Sequence, residues 1–363
     1  MNRRLDTAVC HQFGSQLPIL AFSHSLPVTA AATNCGAIGI WGATRNTPEE
    51  IHEGLAWLAA RCGERPYGVD LVLPANMPER DNRELLETRL PQCHRDFVAA
   101  LRTKYAVPDD GLPGTRSRFV RSQEMAHAQL GVVLASEAPI IAMGVGSPPE
   151  AVSSLHDAGK SVISLVGTTE HARRALDAGT DMLVAQGYDA GAHTGDIGTF
   201  SLVPQIVDLA GDIPVVAAGG VATGRHLAAA LAMGACGVWM GTAWLFAKEH
   251  DLDPLVLGKL AAADSGDTIR SRADSGKTLR QITTAWTDEW SEPGAPEPLA
   301  MPLQDILVGD LLGAVSRHRI EPLMKSEAGQ SVGYFRERTD VASILDGLIT
   351  EAVHVLDRLG SDI

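Results

Sequence analysis

The chain has 363 residues, 45% of them apolar and 20% charged, enough to bury a large core and too apolar for wholesale disorder. Thirty basic against 44 acidic side chains leave a formal charge of −14, which argues against nucleic acid or an anionic membrane as the main partner. The five cysteines are scattered and include no CxxC, and Met1-Asn2-Arg3-Arg4 leads into mixed polar sequence, so a reduced cytoplasmic protein without a signal peptide is expected.

Short apolar runs alternate with helical stretches, the pattern of βα units around a parallel sheet. Residues 18–22 read as a first strand and 27–34 as a helix. A second strand at 37–41 precedes a helix over 48–61, which opens on a capping box of Thr47 and Glu50. A third strand covers 67–73. The charged, turn-rich stretch 74–120 then breaks the rhythm and reads as an inserted group of helices and loop, about 74–125, over one end of the sheet.

The rhythm resumes with strands at 139–144, Ser161–Val166 and Met182–Gln186, and a helix over 170–178. Strands at 213–218 and 237–240, separated by a helix over 226–233, bring the count to eight. Eight βα units predict an α/β fold of the TIM (β/α)8 barrel type, with active-site groups at the carboxyl ends of the strands. Residues 227–247 carry no charge over 21 positions, but Gly234, Gly237 and Gly241 divide them into helix, turn and strand, so no membrane span is expected. Residues 1–247 are assigned to the barrel and 248–363 to a C-terminal helical cap. Within the cap, 251–282 reads as helical with a polar loop, 291–298 as a Pro-rich connector, and 337–359 as a return helix.

The last two barrel strands each end in glycine: Gly219-Gly220 after the seventh, Gly241-Thr242 after the eighth. Glycine lets backbone N–H groups approach an anion closely, and a following helix adds partial positive charge. A strand-to-helix turn needs glycine in any case, so one pair carries little. Two such turns in adjacent units, where barrels commonly seat phosphate, predict a phosphate-bearing ligand. No GxGxxG follows the first strand, so FMN or a phosphorylated substrate fits better than a tightly held NAD.

His193 follows the small residues Ala190, Gly191 and Ala192. An imidazole there could act as a general base for a weakly acidic C–H or N–H, or be an ordinary loop histidine. Asp189 could orient it or stay solvated. Gln186 ends a strand and could bond a heterocycle edge or neighbouring backbone; Asp70 and His24 end strands three and one and could face the same mouth. No HxH, HExxH or Cys/His cluster is present, so no metal site is expected.

The pattern around these residues resembles the nitronate monooxygenase family of FMN-dependent barrels. Its VAQG-x-EAGGH-x-G is similar to 184–195 (VAQGYDAGAHTG), and its AAGGI-x-x-GR…ALGA…V-x-MGT to 217–225, 232–235 and 238–242. Its NAGG-x-G and FGVN are echoed at 34–39 and 67–70. The resemblance implies FMN contacts from Gln186 and Gly191 and a phosphate seat from Gly219, Gly220, Trp239, Met240, Gly241 and Thr242, with His193 handling the substrate proton. The family's early APM falls on Phe22, Ser23 and His24, its flavin-contacting asparagine on Asp70, and a common glutamine on Trp239. The implied activity is oxidation of alkyl nitronates by O2 to a carbonyl compound and nitrite. Two alternatives stand beside it: an NAD(P)H-dependent flavin reductase of a quinone, enone or enoyl thioester, and a non-redox ligand-binding barrel. The expected partner is a small molecule, with O2 or NAD(P)H as co-substrate; a homodimer is left open.

Overall fold

Apolar runs that are buried on both faces form parallel strands, and eight of them close here into a barrel. The computed structural model describes residues 3–73, 77–144 and 146–361. In chain order the strands are β1 (Ile19–Ser23), β2 (Ile38–Gly42), β3 (Tyr67–Val72), β4 (Ile140–Gly144), β5 (Ser161–Val166), β6 (Met182–Gln186), β7 (Ala192–His193), β8 (Val215–Ala218), β9 (Val238–Met240), β10 (Thr268–Ser271) and β11 (Leu279–Ile282). The barrel runs β1-β2-β3-β4-β5-β6-β8-β9 and closes where β9 pairs with β1, Trp239 opposite Leu20. It is a TIM barrel, with all eight strands parallel.

Side-chain alternation sorts each strand into a bore face and an outer face. Leu20, Ile38, Ile40, Ile140, Ile163, Val184, Val216 and Trp239 fill the bore. Ile19, Ala21, Leu183, Ala185, Val215 and Ala217 pack outward under the helices. The helix Pro48–Cys62 opens on the expected capping box: Glu50 N donates to Thr47 Oγ1 at 3.3 Å, and Thr47 N to Glu50 Oε2 at 2.9 Å.

The segment between β3 and β4 contributes the helices Arg83–Thr88 and Gln92–Lys104 before Gln123–Ala135 completes the unit; its first residues, 74–76, lie outside the described residues. Leu101 and Val107 of this segment share an apolar cluster with Phe246, Trp286, Leu311 and Val332, so insertion and C-terminal region pack as one layer.

The stretch 251–282 is not a helix with a loop. Helix Pro254–Ala262 ends, and β10 and β11 form an antiparallel hairpin that β7 extends to a three-stranded sheet in the order β10-β11-β7. Thr268 and Ile269 are β-branched, and the hairpin is completed by a strand far away in sequence, which local periodicity does not reveal. The return helix is Val341–Ser361; Leu345, Leu348 and Ala352 pack against the barrel wall, and Glu351 Oε2 accepts the Gly224 N–H at 2.7 Å.

Candidate active site at the barrel mouth

The parallel register brings the carboxyl ends of all eight barrel strands to one mouth. β8 ends at Ala218, and Gly219 and Gly220 follow with φ of +98° and +76°, a left-handed pair that side chains resist. Gly219 has a packing reason as well, since a Cβ would lie 2.9 Å from Thr199 Oγ1 and 3.0 Å from Ala190 N. On the neighbouring strand Gly241 opens a short 3-10 turn over Thr242–Phe246. A cavity of about 220 Å3 adjoins the first turn, between Asp189, Phe200, Gly220, His226 and Met233.

The C-terminal return closes over these turns. Gly329 N donates to Thr242 Oγ1 at 2.9 Å, Gln330 N to Asp189 O at 2.9 Å, and a Cβ on Gly191 would fall 2.7 Å from Gly329 N. Gly191 and Thr242 are therefore bridged by residues 328–329. Asp189 does not reach His193: its Oδ2 accepts the Thr199 N–H at 3.2 Å, and the half-buried side chain lines the cavity.

His193 is carried on β7, whose other residue, Ala192, holds a left-handed φ of +58°. Pairing with Leu279 of β11 fixes the backbone, and Nε2 lies 2.9 Å from Ser275 Oγ in the hairpin turn. Burial, then the cations Arg116, Arg121, Arg45 and Lys277, push the imidazole down to about 3. It is thus neutral near pH 7 and a weaker base than the near-neutral titration expected from its residue type. Ser275 Oγ also lies 3.3 Å from Lys277 O. When the hydroxyl donates to that carbonyl, Nε2–H donates to Ser275 and Nδ1 keeps its lone pair.

Around the floor, alternation turns Gln186, Asp70 and Trp239 toward the bore. Trp239 stacks on Phe22 with ring centroids 5.6 Å apart, and Phe22 meets His24 edge-on at 5.2 Å. His24 Nδ1 lies 2.7 Å from Gly42 O; a carbonyl only accepts, so Nδ1 carries the proton. Among the described residues the side chains of Gln186 and Asp70 make no hydrogen bond, and neither is among the fully buried polar atoms left without a partner, so both stay open to the mouth. Burial raises Asp70 to about 8, against the pull of Arg121, leaving the carboxyl mostly protonated at neutral pH.

Two expected residues point elsewhere. Ser23 alternates outward and its Oγ accepts the Ser25 N–H at 3.1 Å. Met240 lies in the outer-wall cluster beside Trp244, whose Nε1 donates to Met240 O at 2.7 Å. Only their backbones can serve the mouth.

The charges over the mouth were missed from sequence. Arg45 pairs with Asp305 at 3.1 Å, and Arg116 with Glu327 at 2.7 Å and Asp305 at 3.6 Å; Lys325 pairs with Asp274 and Glu327. These ties join the loop after β2, the insertion, the hairpin turn and the C-terminal return. Burial works against the charge on Arg116, but Glu327, Asp274 and Asp305 outweigh it and raise its pKa. The run Arg116, Arg118, Arg121 in an otherwise acidic chain was the available signal.

Glycine turns on the last two strands and a histidine thus share one mouth of a parallel barrel. The family model for nitronate monooxygenase matches residues 23–351, and the chain belongs to that family; it is an oxidoreductase. It is 38% identical over 369 residues to the Mycobacterium tuberculosis protein Rv1533, provisionally named a monooxygenase, covering 98% of each chain. A Staphylococcus aureus protein provisionally named a nitronate monooxygenase is 27% identical over 326 residues, covering 86% of each. Among solved structures, the chain is similar to nitroalkane oxidase from Streptomyces ansochromogenes (TM-score 0.82, 26% identity, 97% of this chain and 100% of that one). It is also similar to FabK from Thermotoga maritima (TM-score 0.77, 26% identity, 98% and 99%).

Proposed function

We propose that the mouth holds FMN and that the enzyme oxidises alkyl nitronates with O2 to a carbonyl compound and nitrite. The observation that carries this reading is that the turns at Gly219-Gly220 and Gly241-Thr242 share one barrel end with His193, on adjoining strand ends. The residues fit the cofactor: left-handed glycines offer bare backbone N–H groups to a phosphate, and the side chains of Gln186 and Asp70, turned to the bore and bonded to no other described residue, suit the edge of a heterocycle. Bound flavin would supply the electron-accepting chemistry.

The chain's own groups divide the remaining work. Gly219, Gly220 and Gly241 anchor the phosphate, and Phe22 and Trp239 give a flat apolar floor. Neutral His193, held by Ser275, presents one nitrogen to the substrate. Protonated Asp70 donates a hydrogen bond into the mouth. The segment 328–330 covers the seat and excludes water. Anaerobic addition of a nitronate to yellow protein tests this: bleaching of the flavin band supports it, and no spectral change sinks it.

Likeness to FabK favours a second reading, NAD(P)H-dependent reduction of an electron-poor alkene or quinone. Anaerobic bleaching by NADH or NADPH, but not by a nitronate, would select it.

A further inference from the structure

His193 follows a residue whose backbone is held where alanine resists going. Ala192 has a φ of +58°, the left-handed region in which a Cβ crowds the following carbonyl, so contacts outside the residue must keep it there. One residue, Arg280 of β11, holds both ends of the loop that leads to it. Its backbone pairs with Ala192 across the sheet. Its guanidinium reaches back to the start of the loop, where Nε and Nη2 donate to Tyr188 O at 3.2 and 3.1 Å, and Nη1 donates to Thr268 Oγ1 at 2.9 Å.

Arg280 is only 2% exposed, and its charge rests on that carbonyl, that hydroxyl and the Tyr188 ring, whose centroid lies 4.5 Å from Cζ. Arg270, directly opposite on β10, stands 4.7 Å from the same ring and bonds Asp196 Oδ1 at 2.6 Å. Like charges facing each other weaken a strand pair, and here both are drawn onto the loop on either side of His193 in sequence. A rigid guanidinium fork sets the spacing of its acceptors, which a single ammonium does not.

We propose that Arg280 is a positioning residue for His193: its fork closes residues 188–192 into a fixed loop and so holds Ala192 in the left-handed form that brings the imidazole to Ser275. Without the fork, only the short β7 pairing resists relaxation of Ala192 to negative φ, and His193, the next residue, swings with it. The bond to Ser275, at 2.9 Å, is a single contact on the ring and does not fix the backbone. Arg280 acts on the chemistry only through His193. The inference rests on the proposed function only in taking His193 to meet the substrate.

The test is NMR of the purified protein with nitrogen-labelled histidine, His193→Asn assigning the signal. In wild type His193 should show one tautomer and stay neutral near pH 5, since burial and then Arg116, Arg121, Arg45 and Lys277 hold it at about 3. In Arg280→Gln the tautomers should mix and the imidazole should titrate nearer its ordinary 6.5. On a neutral nitroalkane kcat should fall at least about tenfold, with KM changed by less than about threefold. Adding Ala192→Gly to Arg280→Gln should recover part of both losses, because glycine takes the left-handed form unaided. Should Arg280→Gln fail to fold, Arg280→Lys takes its place, alone and with Ala192→Gly; it keeps the charge without the fork and should show the same pattern more weakly. A wild-type His193 signal in the variant overturns the proposal, and so does a double variant no better than the single one. The NMR readout needs no turnover, so a protein inert toward nitroalkane and nitronate whose His193 signal follows this pattern loses the proposed activity and keeps the clamp.

Discussion

His193 and Leu279 face each other across two antiparallel strands, β7 and β11, so the imidazole at the barrel mouth is positioned by the C-terminal hairpin as much as by the barrel. Ser275, in the turn of that hairpin, completes the arrangement at 2.9 Å from Nε2. Barrel and cap therefore act as one device at this point.

Ser275→Ala should leave the imidazole free to rotate and flip tautomer. The expected effect is a fall in kcat of about tenfold with KM little changed, and Ser275→Thr should recover part of it. Steady-state kinetics of the three proteins decides this; a loss confined to KM would mean that Ser275 shapes the pocket instead.

His193→Asn keeps a hydrogen-bonding group but removes the base. Neutral nitroalkanes must lose a proton and preformed nitronates need not, so the variant should lose at least about a hundredfold on the former and far less on the latter. Since burial and nearby cations hold His193 at about 3, wild type should itself prefer nitronates. Equal losses on both substrates would remove the base assignment.

Asp70→Asn has a pH signature in stability. The native carboxyl titrates at about 8 against an ordinary value of 3.8, so between those limits the folded protein holds a proton that the unfolded chain has released. Raising pH across this window disfavours folding, by at most about 1.4 kcal/mol per pH unit. The variant should gain on wild type in urea midpoint from pH 5 to pH 8; a constant difference would contradict the buried, protonated carboxyl.

Gly191→Ala tests the closure by the C-terminal return. The added methyl would fall 2.7 Å from Gly329 N, which is backbone and must shift. A cost of about 1–3 kcal/mol is expected, with weaker flavin retention because the covering segment moves off Thr242. Unchanged Tm and unchanged flavin content together would show that the return segment gives way without consequence.

Much of the barrel was legible because its strands are buried on both faces and read as unbroken apolar runs; the expected 213–218 and 237–240 became Val215–Ala218 and Val238–Met240. The capping box at Thr47 and Glu50 was legible because it is local. The hairpin β10–β11 was not, because its third strand, β7, is two residues long and lies far off in sequence. The paired glycines and His193 announced themselves by spacing. Arg45 and Asp305, 260 positions apart, carried no such mark, and neither did Ser275. Alternation in the strands could have warned that Ser23 and Met240 turn outward.

The central claim is that glycine turns and His193 form one flavin-holding mouth that oxidises a nitronate. Anaerobic titration of the purified protein with a preformed alkyl nitronate, followed in the visible spectrum, tests it most directly. The account predicts a yellow protein that bleaches with nitronate and regains colour when O2 is admitted. A colourless protein, or a yellow one that ignores nitronate while NADH bleaches it, would contradict it.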